Sequence, residues 1–282
     1  MSKTLLSLGH GYSASALAKQ LVPQGWTIFG TTRSAGSADA IRAEGVHPLQ
    51  WEKEAIASSL EQASHLLISA GPDEAGDPSI NLLGEALPRH APNLEWAGYL
   101  STTGVYGNHD GAWTDETTPV APTTRRGELR AEAEAAWAAI PDLPLHIFRL
   151  AGIYGPGRGP FSKVKSGTAR RIVKDGQVFS RIHVDDIAQV LEASIQSPNP
   201  GAIYNVCDDE PAPPQDVIAY AATLLGMPLP PEVRFEEANL PPMARSFYMD
   251  NKRTSNTRIK RELGVTLRYP DYRTGLKALC NE

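Results

Sequence analysis

Thr4-Leu5-Leu6-Ser7-Leu8-Gly9-His10-Gly11-Tyr12-Ser13-Ala14 is the segment from which the architecture can be read. Its apolar start reads as a short strand, and the residues from Tyr12 to Leu21 read as a helix that Pro23 and Gly25 stop. The junction has the form G-x-G-x-x-A. Gly9 permits a tight turn, Gly11 lets backbone N–H groups approach a pyrophosphate, and Ala14 allows the helix to pack closely on the strand. A strand–turn–helix setting with these small residues predicts a dinucleotide site that includes Gly9, Gly11, Tyr12, Ser13 and Ala14.

Outward from this turn, short β-type runs alternate with helical patterns. The runs are Thr27 to Gly30, Val46 to Gln50, His65 to Ala70, Trp96 to Ser101 and Leu145 to Leu150. Helical stretches near Asn81 to Leu87 and from about Gly127 to Ile140 lie among them. Six strands with crossover helices predict an α/β fold with a Rossmann-type, doubly wound parallel sheet. The second half is less regular. A basic, Gly-rich stretch from Gly155 to Arg181 precedes a helix that Asp185 or Asp186 should cap and that runs to Ser194; Ile203 to Val206 adds a short strand, and prolines punctuate the rest. The expected division is a dinucleotide domain over residues 1–154 and 183–208, with a smaller, discontinuous C-terminal substrate lobe over 155–182 and 209–282.

The second strand runs into Gly30-Thr31-Thr32-Arg33-Ser34, about 20 residues beyond the glycines, where an NAD-selective site carries an acid for the ribose 2′-hydroxyl. No acid is present. Arg33, flanked by the Thr32 and Ser34 hydroxyls, suits a 2′-phosphate, which favours NADP over NAD.

Composition limits the alternatives. The chain has 282 residues, 41% hydrophobic and 21% charged, which describes a core-forming globular protein. Its 27 basic and 32 acidic residues give a net charge of −5, which argues against a general nucleic-acid binder. Two cysteines are too few for a disulfide framework, and with no visible signal peptide or membrane-spanning run a cytoplasmic location is expected. The histidines lack metal-ligand spacing, Gly11-Tyr12-Ser13-Ala14-Ser15 lacks the final glycine of a nucleophile elbow, and no P-loop occurs. No metal site is expected.

Three further stretches complete a family pattern: Ser101-Thr102-Thr103-Gly104-Val105-Tyr106-Gly107, Arg149-Leu150-Ala151-Gly152-Ile153-Tyr154-Gly155-Pro156 and Arg181-Ile182-His183-Val184-Asp185-Asp186-Ile187-Ala188. Asn251, Lys252, Glu262-Leu263-Gly264 and Tyr269-Pro270-Asp271-Tyr272 follow in family order. With the glycine turn, they make the chain resemble the extended short-chain dehydrogenases/reductases, the NAD(P)-dependent epimerases and dehydratases. The resemblance implies further cofactor contacts at Ala70, Gly71, Ala151 and Gly152. Helices beside the fourth and fifth strands often form a dimer face in that family, so a homodimer is a further expectation.

The resemblance also implies a proton relay of an upstream Ser or Thr, a Tyr, and a Lys four residues after that Tyr. Thr102 suits the upstream position. In Arg125-Arg126-Gly127-Glu128-Leu129-Arg130-Ala131-Glu132-Ala133-Glu134, Glu134 matches a family Glu, and that register puts Arg126 in the Tyr position and Arg130 in the Lys position. Arginine stays protonated near neutral pH, so Arg126 cannot cycle as an acid and base, although it can stabilise an anion. Tyr106 is a candidate replacement proton donor, ahead of Tyr154 and His183. Two basic clusters, Lys163 to Arg181 and Lys252 to Arg261, offer a face for an anionic ligand. Two readings remain open: an NADP-binding oxidoreductase or epimerase-like enzyme with a non-standard site, acting on a small polar, anionic or nucleotide-linked substrate, and a non-catalytic NADP(H)-responsive protein.

Overall fold

The computed structural model describes residues 3–281. Seven strands form the central sheet: β1 (Thr4–Leu8), β2 (Thr27–Thr32), β3 (His47–Gln50), β4 (His65–Ile68), β5 (Trp96–Thr102), β6 (Leu145–Leu150) and β7 (Ile203–Val206). All neighbouring pairs are parallel, in the order β3-β2-β1-β4-β5-β6-β7. Strand order reverses between β1 and β4, and a crevice at such a switch point is where doubly wound sheets bind ligands. The short strand expected at Ile203–Val206 pairs with β6 and brings the sheet to seven.

Helices α1 (Tyr12–Leu21), α2 (Ala35–Ala43), α3 (Lys53–Gln62), α4 (Arg125–Ala138) and α5 (Val184–Gln196) matter most for the site. One core cluster joins α1 and α5 to one face of the sheet through Leu17, Leu21, Trp96, Phe148 and Ile187. Another joins α3 and α4 to the opposite face through Ile56, Leu60, Tyr99, Ala133 and Trp137. Two-sided burial explains why β1, β4 and β6 are apolar or internally paired along their length rather than alternating.

Two sequence expectations are corrected here. The single helix expected near Asn81 to Leu87 is two short ones, Pro78–Leu83 and Ala86–His90, broken at Gly84 with its φ of +47°. The cap of α5 is His183, whose Nδ1 accepts the Asp185 N–H at 3.2 Å. Asp186 is buried and accepts the backbone N–H groups of Arg268 (2.7 Å) and Tyr269 (3.0 Å), tying α5 to the C-terminal segment.

The less regular segments contain short parallel strand pairs, Gly152–Tyr154 with Arg181–His183 and Arg171–Val173 with Glu232–Arg234. They also have their own apolar clusters, one around Tyr154, Ala221 and Leu276 and one around Ile172, Phe235 and Tyr248. No helix among the described residues is long and apolar enough to cross a membrane.

Candidate functional site

The glycine turn closes the end of β1 against β2 and β4. Gly9 has φ +82°, and a Cβ there would lie 2.7 Å from the Ala70 backbone nitrogen, so both conformation and space require glycine. Its N–H donates to Thr31 Oγ1 (2.7 Å), and its carbonyl accepts from Ser69 Oγ (2.5 Å). Gly11 differs. It caps α1 with an extended backbone, and a Cβ there would meet nothing nearer than Gly9 O at 3.8 Å. The protein itself leaves this position open.

The N-terminus of α1 has neither a side-chain cap nor an acidic residue in its first turn, so its N–H groups remain available to an anion. An open Gly11 and an uncapped helix start fit the pyrophosphate of a dinucleotide. Ser13 and Ala14 are buried beneath the helix, while the Tyr12 hydroxyl donates to Pro156 O at 3.0 Å. Arg158 lies 5.7 Å over the Tyr12 ring, so the segment after Tyr154 folds back onto the turn.

At the end of β2, Ser34 N donates to Thr32 Oγ1 (3.1 Å), and Arg33 is exposed with its guanidinium 5.8 Å over the Trp51 ring. Ser34 caps α2 by position but not by a side-chain hydrogen bond. The structure thus places Thr32, Arg33 and Ser34 together beside a second uncapped helix start. After β4, Ala70 is buried and Gly71 exposed; a Cβ on Gly71 would stand 3.4 Å from Arg130 Nη2.

Arg130 is held in place: its Nη1 donates to Leu100 O (2.8 Å) and to the Tyr99 hydroxyl (3.2 Å). Arg126 lies one turn earlier on the same helix face, exposed, and makes no ion pair or hydrogen bond among the described residues. Its neighbour Arg125 pairs with Glu74, Glu128 and Glu132. The start of α4 is set by Thr124, whose Oγ1 accepts the Gly127 N–H, and by Gly127, where a Cβ would come 3.0 Å from Gly104 O.

Glu134 fixes the helix register from below. It is buried and forms a bidentate pair with Arg149 (3.1 and 2.7 Å), and Ser101 Oγ donates to it at 2.5 Å. Burial alone would depress the Arg149 guanidinium, but the Glu134 carboxylate more than reverses this and leaves it raised. The sequence match at Glu134 therefore has a structural cause.

The candidate catalytic residues do not all converge. Thr102 is half-buried at the end of β5, its Oγ1 accepting the Gly104 N–H at 3.1 Å. Tyr106 points into the core, fully buried, with its hydroxyl donating to Asn205 Oδ1 (2.8 Å) and its ring 4.8 Å from the Arg149 guanidinium. Burial pushes its phenol pKa up, with Arg149 opposing. Tyr106 is thus a core residue in this arrangement and does not face the crevice. Tyr154 is buried against His183 at 5.1 Å and against Gly275. Ala151 is buried with its N–H on Val206 O, whereas Gly152 is exposed.

The basic clusters are largely spent internally. Arg181 donates to Phe179 O and Ala212 O, Arg171 pairs with Glu232, Lys260 with Asp209, and Arg258 with Glu262. Reading by motif missed His10, Glu44, Thr31 and Ser69, which brace the turn. The signal for Thr31 was its place one residue before Thr32 at the end of β2; for Glu44 there was none, because it reaches His10 and Ser15 only through tertiary packing.

Across its length the chain is 31% identical to Protein YeeZ of Escherichia coli, over 95% of this chain and 97% of the relative. A functionally unknown conserved protein of Silicibacter pomeroyi superposes with a TM-score of 0.96 at 62% identity, over 99% and 98% of the two chains. The fold alone is shared with a Bacillus anthracis dTDP-glucose 4,6-dehydratase in complex with NAD (TM-score 0.79, 18% identity, 100% and 96% covered) and with the human epimerase family protein SDR39U1 with NADPH (0.79, 17%, 99% and 99%). The chain belongs to the YeeZ family. Its fold is the Rossmann-type α/β fold of the NAD(P)-dependent epimerases and dehydratases. No family model matches the chain. Of the two structures that share the fold alone, the first holds NAD and the second NADPH.

Proposed function

We propose that the chain is an NADP(H)-dependent oxidoreductase or epimerase-like enzyme for a small anionic substrate, with guanidinium groups standing where a Tyr/Lys relay would be. The observation that carries this reading is Arg126: it is exposed and unpaired beside a neighbour that holds three glutamates, on the same helix face as an Arg130 anchored on Leu100 O and the Tyr99 hydroxyl.

The bound nicotinamide would supply hydride transfer. The protein's part is to hold and polarise. Gly9, Gly11 and the first turn of α1 bind the pyrophosphate, and Arg33, Thr32 and Ser34 bind the 2′-phosphate. Arg130, held on the end of β5 by Leu100 O and the Tyr99 hydroxyl, stands beside Gly71, and the Thr102 hydroxyl offers a hydrogen bond to a substrate oxygen. Arg126 binds the substrate anion or stabilises negative charge that develops on it, and because a guanidinium keeps its proton its contribution is electrostatic. One observation favours the non-catalytic alternative: neither relay position holds a group that can titrate near neutral pH, and the Tyr106 phenol is committed to Asn205.

Titration with NADPH and NADH, followed by a panel of anionic and neutral carbonyl compounds and nucleotide sugars, tests these readings. NADPH should bind at least about tenfold more tightly than NADH, with Arg33→Ala removing most of the difference. Anionic substrates should turn over, and Arg126→Ala should raise their KM. Equal affinity for the two cofactors defeats the NADP assignment, and tight NADPH binding with no turnover selects the binding-protein reading.

A further inference from the structure

His10 occupies the x position of the G-x-G turn, yet its side chain is 1% exposed. The imidazole lies over Gly30, where a Cβ would come 2.7 Å from its Cγ, and Val46 closes the same pocket. Ser7 Oγ on β1 is 3.2 Å from Nδ1, and Glu44 Oε2, at the C-terminal end of α2, is 3.2 Å from Nε2. The other Glu44 oxygen accepts Ser15 Oγ at 2.7 Å, and Ser15 sits in the first turn of α1. A carboxylate is therefore held beneath the helix start that the dinucleotide reading assigns to a pyrophosphate.

Glu44 is the charged group acting on the imidazole, and Ser7 and Ser15 are the polar side chains packed about the pair. In the tautomer that satisfies both contacts, Nε2–H donates to Glu44 and the Ser7 hydroxyl donates to Nδ1. Without a ligand, burial holds the imidazole below its ordinary pKa, with Glu44 pulling the other way.

We propose that the His10–Glu44 pair is a proton-linked brace for the phosphate-binding turn, such that the protein takes up part of a proton on His10 Nδ1 as it binds the dinucleotide. A pyrophosphate over the turn adds negative charge above a carboxylate that is already there. Protonated His10 offsets both, and Nδ1–H then donates to Ser7 Oγ. The inference rests on the dinucleotide reading of this turn. By linkage, a ligand that raises the pKa of a site binds more tightly as pH falls towards that pKa.

Calorimetric titration with NADPH from pH 8 to pH 6, in buffers of different ionisation enthalpy, reads both affinity and proton count. Affinity should rise roughly three- to tenfold more in the native protein than in His10→Gln, as expected for one offset charge at a partly solvated site. The native protein should take up protons that His10→Gln does not. The cofactor's own 2′-phosphate titrates in both proteins and cancels in the comparison. Glu44→Gln, which keeps the hydrogen-bonding shape, should bind more tightly than the native protein at pH 8 and lose the extra slope. Equal proton counts and equal slopes in native protein and His10→Gln, with both folded by circular dichroism, overturn the proposal. If His10→Gln does not fold, Glu44→Gln decides: an unchanged slope overturns it. A native protein that binds neither NADPH nor NADH at any pH overturns the dinucleotide reading and this inference with it.

Discussion

The glycine turn and the start of α4 both lie at the C-terminal ends of the strands, but they are built on opposite principles. At the turn, backbone conformation carries the chemistry: Gly9 needs its positive φ and lack of Cβ, while Gly11 is spared a side chain that the protein alone would tolerate. At α4 the backbone is an ordinary capped helix, and the chemistry depends on which side chain occupies a position, here Arg126 and Arg130. A backbone-built site survives divergence of its neighbours. A side-chain-built site changes its reaction with a single substitution.

Removing a partner from the buried Glu134–Arg149 pair should have the largest effect on this contrast. Glu134→Ala should cost about 3–5 kcal/mol in urea denaturation, because a buried guanidinium is left unpaired, and the double change with Arg149→Met should recover a good part of it. If Glu134→Ala is nearly neutral, the register of α4 is not held from below.

The two glycines should then separate. Gly9→Ala should lose about 2–4 kcal/mol of stability, from strain and contact with Ala70. Gly11→Ala should lose less than about 1 kcal/mol yet weaken dinucleotide binding at least about tenfold. Similar stabilities for the two variants would show that the turn is not set by backbone geometry.

Acid should weaken the sheet at the start of β4, the end away from the turn. His65 is buried between Trp26 and Trp96, and burial, with a smaller push from Lys3, lowers its pKa from 6.5 to about 4. The unfolded chain therefore binds this proton first as pH falls, so stability is complete above about pH 6.5 and is lost progressively towards about pH 4, by an amount on the order of 1–3 kcal/mol. Across that window the native protein should lose stability relative to His65→Phe, so that the separation of their melting temperatures changes with pH. Parallel curves remove His65 as the cause.

The smallest structural effect belongs to Arg126. Its replacement by Ala should move the melting temperature by no more than about 2 °C, since no partner is lost. A larger fall would make Arg126 part of the scaffold and remove the reason for assigning it to a ligand.

Much of this contrast is visible in sequence because it depends on short-range constraints. The strand–turn–helix rhythm around Gly9 and Gly11 follows from local apolar periodicity and small residues at fixed offsets, and it predicts the parallel sheet and the Arg33 position at the end of β2. Glu134 likewise fixed the α4 register, four residues after Arg130. The four residues Ile203–Val206 carry little periodicity of their own, and only β6 gives them an edge that fixes their place in the sheet. The sequence points to an aspartate cap for α5, whereas the structure uses His183, a rarer cap, because Asp186 is taken by Arg268 and Tyr269, more than 80 positions away.

By itself, then, the sequence determined the fold class, the strand–turn–helix form of the glycine turn and the presence of Arg126 and Arg130 at the start of α4, since each is written in neighbouring residues. Tertiary structure decided that Tyr106 belongs to the core, that Arg126 alone of the α4 arginines stays unpaired, and that His10 rests on Glu44. Those outcomes depend on which distant groups compete for the same charge or hydrogen bond, and only the folded chain brings such groups within reach of one another.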